Sequence, residues 1–281
     1  MSDYRIQIII PVYNSSETLG KCLDSLKAQT YTCWQAIAVD DKSKDNSLDI
    51  LNEYAARDSR FRVVAAEKNG GSSAARNIAL DMADSEYVAF LDSDDYWEPD
   101  MLETLLEKAD EYGCDVVQCR FIYDFPGGRL LLPAGAFDKD IYLEGRKLNK
   151  VYLKMMTGIN MNHVCMKLIR TSLIKDIRFD STYRTAEDLD FCVRLFGSVG
   201  KYYFSTKPMY HYCRWENSLT GRGLSFKVKL DANRRVSKTM LTMLPRWGID
   251  NWFYRMLTLL RPYIIIISKV FRMFREKLLT R

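Results

Sequence analysis

The first 100 residues alternate between short apolar runs and stretches in which apolar residues recur every three to four positions. The apolar runs are too short to cross a membrane and are typical of strands buried on both faces. The predicted strands are 5–12, 34–39, 61–65 and 87–91. The intervening helical patterns are 19–26, 45–56 and 74–83. Strands alternating with helices of this length predict βαβ units and an α/β fold with a mostly parallel sheet flanked by helices.

Beyond residue 100 the pattern is mixed. Helical spacing predicts helices at 99–112, 148–157 and 187–196. Apolar runs predict strands at 115–119, 164–169 and 201–212. A Pro-Gly-Gly sequence at 126–128 predicts a hairpin turn after the first of these strands.

Polar residues recur directly after the predicted strands of the first half. They are Tyr13, Asp40, Asp41, Asp92, Ser93 and Asp94. Ligands of open α/β sheets bind in the crevice at the carboxyl ends of the strands. The sequence therefore predicts that these side chains line one cleft.

The acidic run that begins at Asp92 is the sharpest motif. Three carboxylates within four residues repel one another, and a bound cation relieves that repulsion. At a strand end, Asp92 and Asp94 share a face while Ser93 points away. Hard oxygen ligands suit Mn²⁺ or Mg²⁺, which retain positions for phosphate oxygens. The alternative is a solvated acidic turn that caps the next helix.

Three further motifs are weaker when each is taken alone. Asp41 and its neighbour Asp40 suit hydrogen bonds from a nucleobase imide or ribose hydroxyls. A glycine turn at 69–73 precedes Arg76, which would lie one turn into a helix and could reach a diphosphate. Asp188 stands near a predicted helix start, where the helix dipole stabilises carboxylates. Taken alone, each motif has a structural alternative: helix capping for Asp41, a plain turn with a surface arginine for Arg76, and helix-end charge, which is favoured in isolation, for Asp188.

The net charge of +5 conceals a basic C-terminal tail. Residues 224–281 hold 13 Lys and Arg against 3 Asp and Glu, a net +10, so the remainder carries −5. From 252 onward apolar residues fall at helical spacing, and Pro262 predicts a kink or a second helix start. A basic amphipathic helix suits an anionic membrane surface. Packing on the catalytic domain or a homodimer contact are the alternatives.

Two other features bear on location and partners. The N-terminus lacks the pattern of a secretion signal, and the seven scattered cysteines contain no Cys-x-x-Cys pair. Both observations favour a reduced, cytoplasmic protein without a disulfide framework or zinc ribbon. Nucleic acid is disfavoured as a partner, because the tail has no recognised module and no interleaved aromatic residues on a basic strand.

Taken in order, the motifs resemble glycosyltransferase family 2. The matching stretches are IIIPVYN at 8–14, QTY at 29–31, VDDKS at 39–43, ARN at 75–77, FLDSDD at 90–95 and AED at 186–188. The resemblance implies a GT-A fold, in which 1–223 form the catalytic domain and 224–281 a helical extension. The donor-binding half would span about 1–100 and the acceptor half about 101–223.

The resemblance also implies roles for individual residues. The base of the donor would pack on Pro11 and Tyr13, and Asp41 would read a uracil imide. Asp188 would be the general base and Asp94 the metal ligand. The other implied donor-side residues are Asp40, Arg76, Asp92 and Ser93. Further candidates for the acceptor or diphosphate are Glu187, His211 and Arg214, where a core or rim histidine is the alternative for His211 and an exposed surface arginine the alternative for Arg214. The chain departs from the family where Cys165-Met166 replace a frequent Trp-Asn and where Lys42 replaces a frequent Gly.

The implied activity is an inverting, metal-dependent transfer of a sugar from a nucleotide-sugar, with a UDP-sugar favoured. The acceptor would be a glycan or a lipid-linked molecule in cell-surface polysaccharide synthesis, in the cytoplasm or at the inner face of the plasma membrane. Two alternatives remain. A non-catalytic GT-A scaffold would bind the nucleotide-sugar without transfer, and a nucleotidyltransferase would share the cleft without the Glu187-Asp188 placement.

Overall fold

The computed structural model describes residues 3–157, 161–214 and 224–279, with side chains up to 265. Within these residues ten strands form one sheet in the order β3-β2-β1-β4-β9-β6-β10-β5, with β7 beside β6 and β8 beside β10. The strands are β1 (Ile6–Val12), β2 (Trp34–Asp40), β3 (Phe61–Ala65), β4 (Tyr87–Phe90), β5 (Tyr96–Trp97), β6 (Val116–Phe125), β7 (Arg129–Leu131), β8 (Ile141–Glu144), β9 (Lys167–Arg170) and β10 (Lys201–Cys213). The helices are α1 (Leu19–Lys27), α2 (Ser47–Arg57), α3 (Ser72–Met82), α4 (Met101–Tyr112), α5 (Asn149–Thr157), α6 (Glu187–Leu195), α7 (Phe226–Met243) and α8 (Trp252–Leu279).

The first four strands form a parallel sheet with β1 at its centre. Every residue of β1 is buried, as expected for an apolar run covered on both faces. The strand order turns at β1, because β2 and β3 lie on one side of it and β4 on the other. Such a turn opens a crevice at the carboxyl ends of the strands, where Val12 pairs with Asp40.

The second half of the sheet is built around one reversed strand. β9 lies antiparallel between β4 and β6, and β10 is parallel to β6. Both β6 and β10 therefore end at the same edge as the first four strands. β6 is longer than the predicted 115–119, because its second half pairs with β10 and with β7 across the predicted hairpin turn.

The C-terminal helices pack on the rest of the chain. α7 contacts α6, and α8 contacts α7 and α5. α8 continues through Pro262, so a second helix does not begin there. Arg261 is buried in this packing, where its guanidinium donates to the carbonyl of Met155 (3.4 Å) and to Oδ1 of Asn233 (3.0 Å). In the described part of the chain, no helix combines the length and apolarity that a membrane span requires. The division at residue 223 stays a prediction.

Candidate active site

The glycine turn after β3 is held by Asp41 at the end of β2. Its two carboxylate oxygens accept hydrogen bonds from the backbone N–H of Gly70 (2.8 Å) and Gly71 (2.7 Å). Gly71 has a φ of 82°, and a Cβ on Gly70 would lie 2.6 Å from that of Ala74. Only glycine fits these two positions without rearrangement. Asp41 therefore shapes the entry to α3, in addition to the uracil contact predicted for it.

The neighbouring ends of β1 and β2 carry an exposed ring, that of Tyr13, and a buried carboxylate, that of Asp40. Oδ2 of Asp40 accepts from the backbone N–H of Ser43 (3.2 Å), whereas Oδ1 has no partner within the described residues. Tyr13, directly after β1, is 44% exposed, while Pro11 is buried. Buried polar atoms are normally paired. An unpaired carboxylate oxygen at the end of β2 and an exposed ring directly after the neighbouring β1 suit a base or ribose.

Backbone strain is concentrated at this edge of the sheet. Three non-glycine residues in the described chain have positive φ angles: Asn14 (48°), Lys42 (65°) and Ala186 (70°). They directly follow Tyr13, follow Asp41 and precede the acidic start of α6. Such conformations are costly for residues with a Cβ and cluster at functional sites.

The exposure of the side chains alternates along the acidic run, as its position at a strand end predicts. Asp92 and Asp94 are partly exposed, whereas Ser93 and Asp95 are buried. The hydroxyl of Ser93 lies 2.7 Å from that of Ser15. Asp95 accepts hydrogen bonds from the hydroxyl of Tyr210 and the backbone N–H of Cys213, which ties this run to the end of β10. Asp92 and Asp94 are thus the two carboxylates left facing the cleft.

Asp94 forms no salt bridge among the described residues. Burial, followed by the nearby charge of Asp92, raises the pKa of Asp94 to about 6. Within the described residues no three His, Cys, Asp or Glu side chains form a ready metal cage. Mg²⁺ bound together with a nucleotide commonly uses only one or two carboxylates and completes its shell with phosphates and water. Asp94, with Asp92 beside it, fits a cation held in that way.

Arg76 joins two parts of the site. Its side chain is almost fully buried, with one nitrogen 2.7 Å from Oδ1 of Asp92 and the other 3.3 Å from Oδ1 of Asp188. Burial opposes its charge, but the carboxylates of Asp188 and Asp92 raise the pKa of Arg76 well above its usual value. Arg76 is therefore a fixed cation between the acidic run and α6. The diphosphate contact assigned to it stays a prediction.

Cys165 is a site residue that stands out in the sequence only as a departure from the family. Its thiol lies 3.3 Å from Oδ2 of Asp92, the oxygen that Arg76 does not bind. Burial and the charges of Asp92 and Asp188 raise the pKa of Cys165 well above its usual value. The thiol is consequently neutral and can donate to Asp92. The only signal in the sequence was the unusual residue itself.

Asn77, next to Arg76, fastens α3 to the segment before α6. Its side-chain amide donates to the carbonyl of Phe179 (2.8 Å) and accepts from the N–H of the same residue (2.8 Å). The ring of Phe179 stacks on Phe191 at 4.2 Å and meets Phe90 edge-on at 5.7 Å. This packing positions the start of α6, where Asp188 lies.

The three side chains assigned to the acceptor or diphosphate lie in different surroundings. Glu187 adjoins Asp188, and burial together with the charge of Asp188 raises its pKa. His211 is buried, stacked on Tyr96 at 4.1 Å, with Nε2 2.7 Å from Glu98. Within the described residues His211 contacts none of the cleft carboxylates. Arg214 lies over two tyrosine rings at the end of β10.

A comparison with known protein families identifies the family to which these site residues belong. The family model described as Glycosyl transferase family 2 matches residues 7–178, more than half of the chain. The chain belongs to glycosyl transferase family 2. The match spans the acidic run, the glycine turn and the parallel half of the sheet, and it confirms the family predicted from the ordered motifs.

Curated relatives of this family 2 chain include three bacterial proteins. The uncharacterized glycosyltransferase EpsJ of Bacillus subtilis is 32% identical over 226 residues, which cover 76% of this chain and 62% of that protein. The putative teichuronic acid biosynthesis glycosyltransferase TuaG of Bacillus subtilis is 39% identical over 138 residues, or 49% and 52% of the two chains. The cholesterol galactosyltransferase of Borreliella burgdorferi is 31% identical over 303 residues, covering 99% of this chain and 82% of that one. Relative to EpsJ, the chain thus spans less than two thirds of the relative's length.

Among solved structures, Staphylococcus aureus TarS 1-349 in complex with UDP-GlcNAc is similar to this family 2 chain. The TM-score is 0.69 at 26% identity, over 86% of this chain and 72% of that one. The likeness confirms the predicted GT-A fold, a mostly parallel sheet flanked by helices.

Proposed function

We propose that this chain is an inverting glycosyltransferase that moves a sugar from a UDP-sugar to a glycan or lipid-linked acceptor. The observation that carries the proposal is the chain of contacts from Cys165 through Asp92 and Arg76 to Asp188. It links a donor-side carboxylate and a carboxylate at the start of a helix across one cleft. The UDP-GlcNAc complex of the similar TarS supports a uridine nucleotide as the donor.

The proposed reaction is a direct displacement at the anomeric carbon. The acceptor oxygen bonds to that carbon as the bond to the nucleoside diphosphate breaks, which inverts the configuration. Asp188 takes the acceptor proton, and such general base catalysis contributes about 10² to 10⁴ in rate. Arg76 holds this carboxylate in place at 3.3 Å. It thereby fixes the base relative to Asp92 on the donor side.

Donor binding is assigned to the edge formed by β1 and β2. Tyr13 and Pro11 would pack on the base, and the unpaired Oδ1 of Asp40 would accept from the base or ribose. Asp41 and Ser93 line the same edge. Mn²⁺ or Mg²⁺ at Asp94, when bound, would neutralise the charge that develops on the leaving diphosphate.

A membrane-facing role is proposed for α8. The helix packs on α5 and α7 but leaves a row of large apolar side chains exposed. These are Trp252, Phe253, Met256, Leu259, Leu260, Tyr263 and Ile264. The segment from 224 onward carries a net +10, which complements an anionic membrane surface. The match of the lipid-glycosylating Borreliella relative over 99% of this chain is consistent with such a surface.

We also propose a role in the synthesis of a cell-surface polysaccharide and a location at the inner face of the plasma membrane. The similarity to TuaG, which is named for teichuronic acid biosynthesis, supports a role in the synthesis of a polysaccharide. A cytoplasmic position at the inner face of the plasma membrane fits a chain that meets a lipid-linked acceptor there. The alternatives for α8 are a homodimer contact and a face covered by another protein.

Acceptor-dependent release of UDP tests the proposal. The full chain is first screened with nucleotide-sugars and Mn²⁺ for thermal stabilisation, because a bound ligand raises apparent stability. The stabilising donor is then supplied with acceptor fractions from bacterial envelopes. A transferase releases UDP only with a suitable acceptor. Stabilisation with no release under any acceptor would favour the non-catalytic scaffold, and no stabilisation by any nucleotide-sugar would contradict both.

A further inference from the structure

A group of aromatic rings lies at the carboxyl ends of β6 and β10. Tyr123 and Tyr212 are partners in the parallel register, with ring centroids 5.8 Å apart at 89°. Phe121 lies 4.9 Å from Tyr123 and packs beneath both tyrosines. His163 completes the group, 5.9 Å from Phe121 and 6.4 Å from Tyr212. These four residues and Arg214 are called the aromatic patch.

Arg214 supplies the patch with a positive charge. Its guanidinium lies 4.9 Å from the ring centroid of Tyr123 and 5.4 Å from that of Tyr212. Its backbone N–H donates to the carbonyl of Asp124 (2.7 Å), which fixes the start of the side chain. Among the residues described, no carboxylate forms a salt bridge with it, in contrast to Arg76. Stacking on aromatic faces preorganises a guanidinium without neutralising it.

The patch adjoins the proposed base. His163 stands two residues before Cys165, whose thiol contacts Asp92. Desolvation lowers the pKa of the His163 imidazole, and the negative charges of Asp188 and Asp92 oppose that shift. The exposed His163 is held from behind by the buried Lys167, whose ammonium donates to its backbone carbonyl. The patch therefore adjoins the part of the cleft that holds Asp92 and Asp188.

We propose that the aromatic patch is the acceptor subsite and that it selects a sugar bearing a negative charge, a phosphate or a carboxylate. The inference rests on the proposed function and deepens it. Tyrosine rings offer flat apolar surface and hydroxyls suited to a sugar ring. A guanidinium that pairs with no carboxylate among the described residues can recognise an anion through charge-assisted hydrogen bonds. A neutral lipid alcohol would leave the guanidinium unused.

The test measures sugar binding to the full chain saturated with UDP and Mg²⁺, so that the donor edge is occupied. Saturation-transfer NMR compares methyl glucoside, glucose 6-phosphate and methyl glucuronide. Either anionic sugar should bind about tenfold or more tightly than the neutral one. The better of the two identifies phosphate or carboxylate as the recognised group. Arg214→Gln should abolish the preference, and Tyr212→Ala should weaken binding of all three sugars.

Arg129→Gln is the matched control, because Arg129 also stacks on a ring, that of Phe125 (4.3 Å), but lies outside the patch. Equal binding of neutral and charged sugars overturns the inference, as does a preference that survives Arg214→Gln or no binding of any sugar. In all three outcomes the proposed function stands if UDP still stabilises the wild-type chain. Failure of every nucleotide-sugar to stabilise it would instead remove the proposed function.

Discussion

Arg76 and Asp188, which are 112 residues apart in the chain, are joined by a 3.3 Å ion pair inside the candidate site. The other arm of the same guanidinium lies 2.7 Å from Asp92. A planar fork can hold two carboxylates at a set separation, whereas an ammonium is a single point of charge. The position of the proposed base, Asp188, relative to Asp92 on the donor side thus depends on the one buried side chain of Arg76.

Arg76→Lys is expected to lower kcat by about 10²-fold, because it keeps the charge but loses the fork that positions Asp188. UDP affinity should change much less, since the donor edge at β1 and β2 is untouched, whereas a comparable loss of UDP affinity would indicate the predicted diphosphate contact instead. Steady-state kinetics and UDP calorimetry measure the two quantities. Arg60→Lys is the control, because Arg60 forms a comparable forked pair with Asp58 far from the cleft. A full kcat in Arg76→Lys would show that the fork has no positioning role.

Asp188→Asn should lower turnover by about 10² to 10⁴, the usual worth of a general base, and leave UDP binding nearly intact. The amide keeps the shape of the side chain and cannot take a proton. Asp190→Asn serves as the control within α6, because Asp190 pairs with Arg194 at 2.8 Å and lies on the side of the helix packed by α7. A comparable loss of UDP affinity in Asp188→Asn would contradict its assignment as the base.

Metal-dependent UDP binding should weaken as the pH falls through about 6. The pKa of Asp94 is raised to about 6 by burial and by Asp92, so the metal-free carboxyl becomes protonated below that value. A proton and a divalent cation compete for the same oxygens, and affinity therefore rises with pH across this window. Calorimetry of UDP with Mn²⁺ at several pH values measures the effect. Asp94→Ala should lose both the metal dependence and this pH dependence, and binding that is flat with pH in the wild type would refute the metal assignment.

The donor half follows from local sequence patterns. Apolar runs and helical spacing located β1 to β4 and their helices to within about two residues, because elements that are close in sequence pack on one another there. The alternation of Asp92, Ser93 and Asp94 also follows from strand geometry alone. These features can be predicted without knowing which residues far apart in the sequence are in contact.

The contacts made by the second half could not be derived in the same way. Cys165 reaches Asp92 because β9 inserts antiparallel between β4 and β6, a pairing that no local pattern reveals. His211 is a candidate for the acceptor or diphosphate, with a core or rim histidine as the alternative. Local patterns leave that choice open, and the register with β5 stacks the ring on Tyr96, against Glu98. Strand pairing over long separations decides which face such a residue occupies.

Lys42→Gly should leave the free energy of unfolding unchanged or raise it by up to about 1 kcal/mol. Lys42 has a φ of 65°, which strains a residue with a Cβ by about 1–2 kcal/mol, and the greater freedom of glycine in the unfolded chain offsets part of that gain. Urea unfolding measures the difference. Lys44→Gly, in the same loop without a positive φ, should destabilise. If both variants lose the same stability, the strain at Lys42 is not relieved by glycine.

The exposed row on α8 should bind anionic vesicles. Combined Trp252→Ser, Leu259→Ser and Ile264→Ser substitutions remove apolar surface that is 75%, 52% and 45% exposed and leave the packed face of the helix intact. Flotation with phosphatidylglycerol vesicles should fall at least about tenfold, and neutral phosphatidylcholine vesicles should bind the wild type weakly.

The control for this variant replaces three other exposed leucines, Leu130, Leu131 and Leu132, which lie on and just after β7. These changes remove a similar apolar area from a segment outside the basic tail, so flotation should persist if α8 is the contact. UDP affinity should be the same in both variants, because neither touches the cleft. Unchanged flotation of the α8 variant would contradict the membrane proposal. A wild-type dimer that becomes a monomer in that variant alone would assign the row to a second copy of the chain instead.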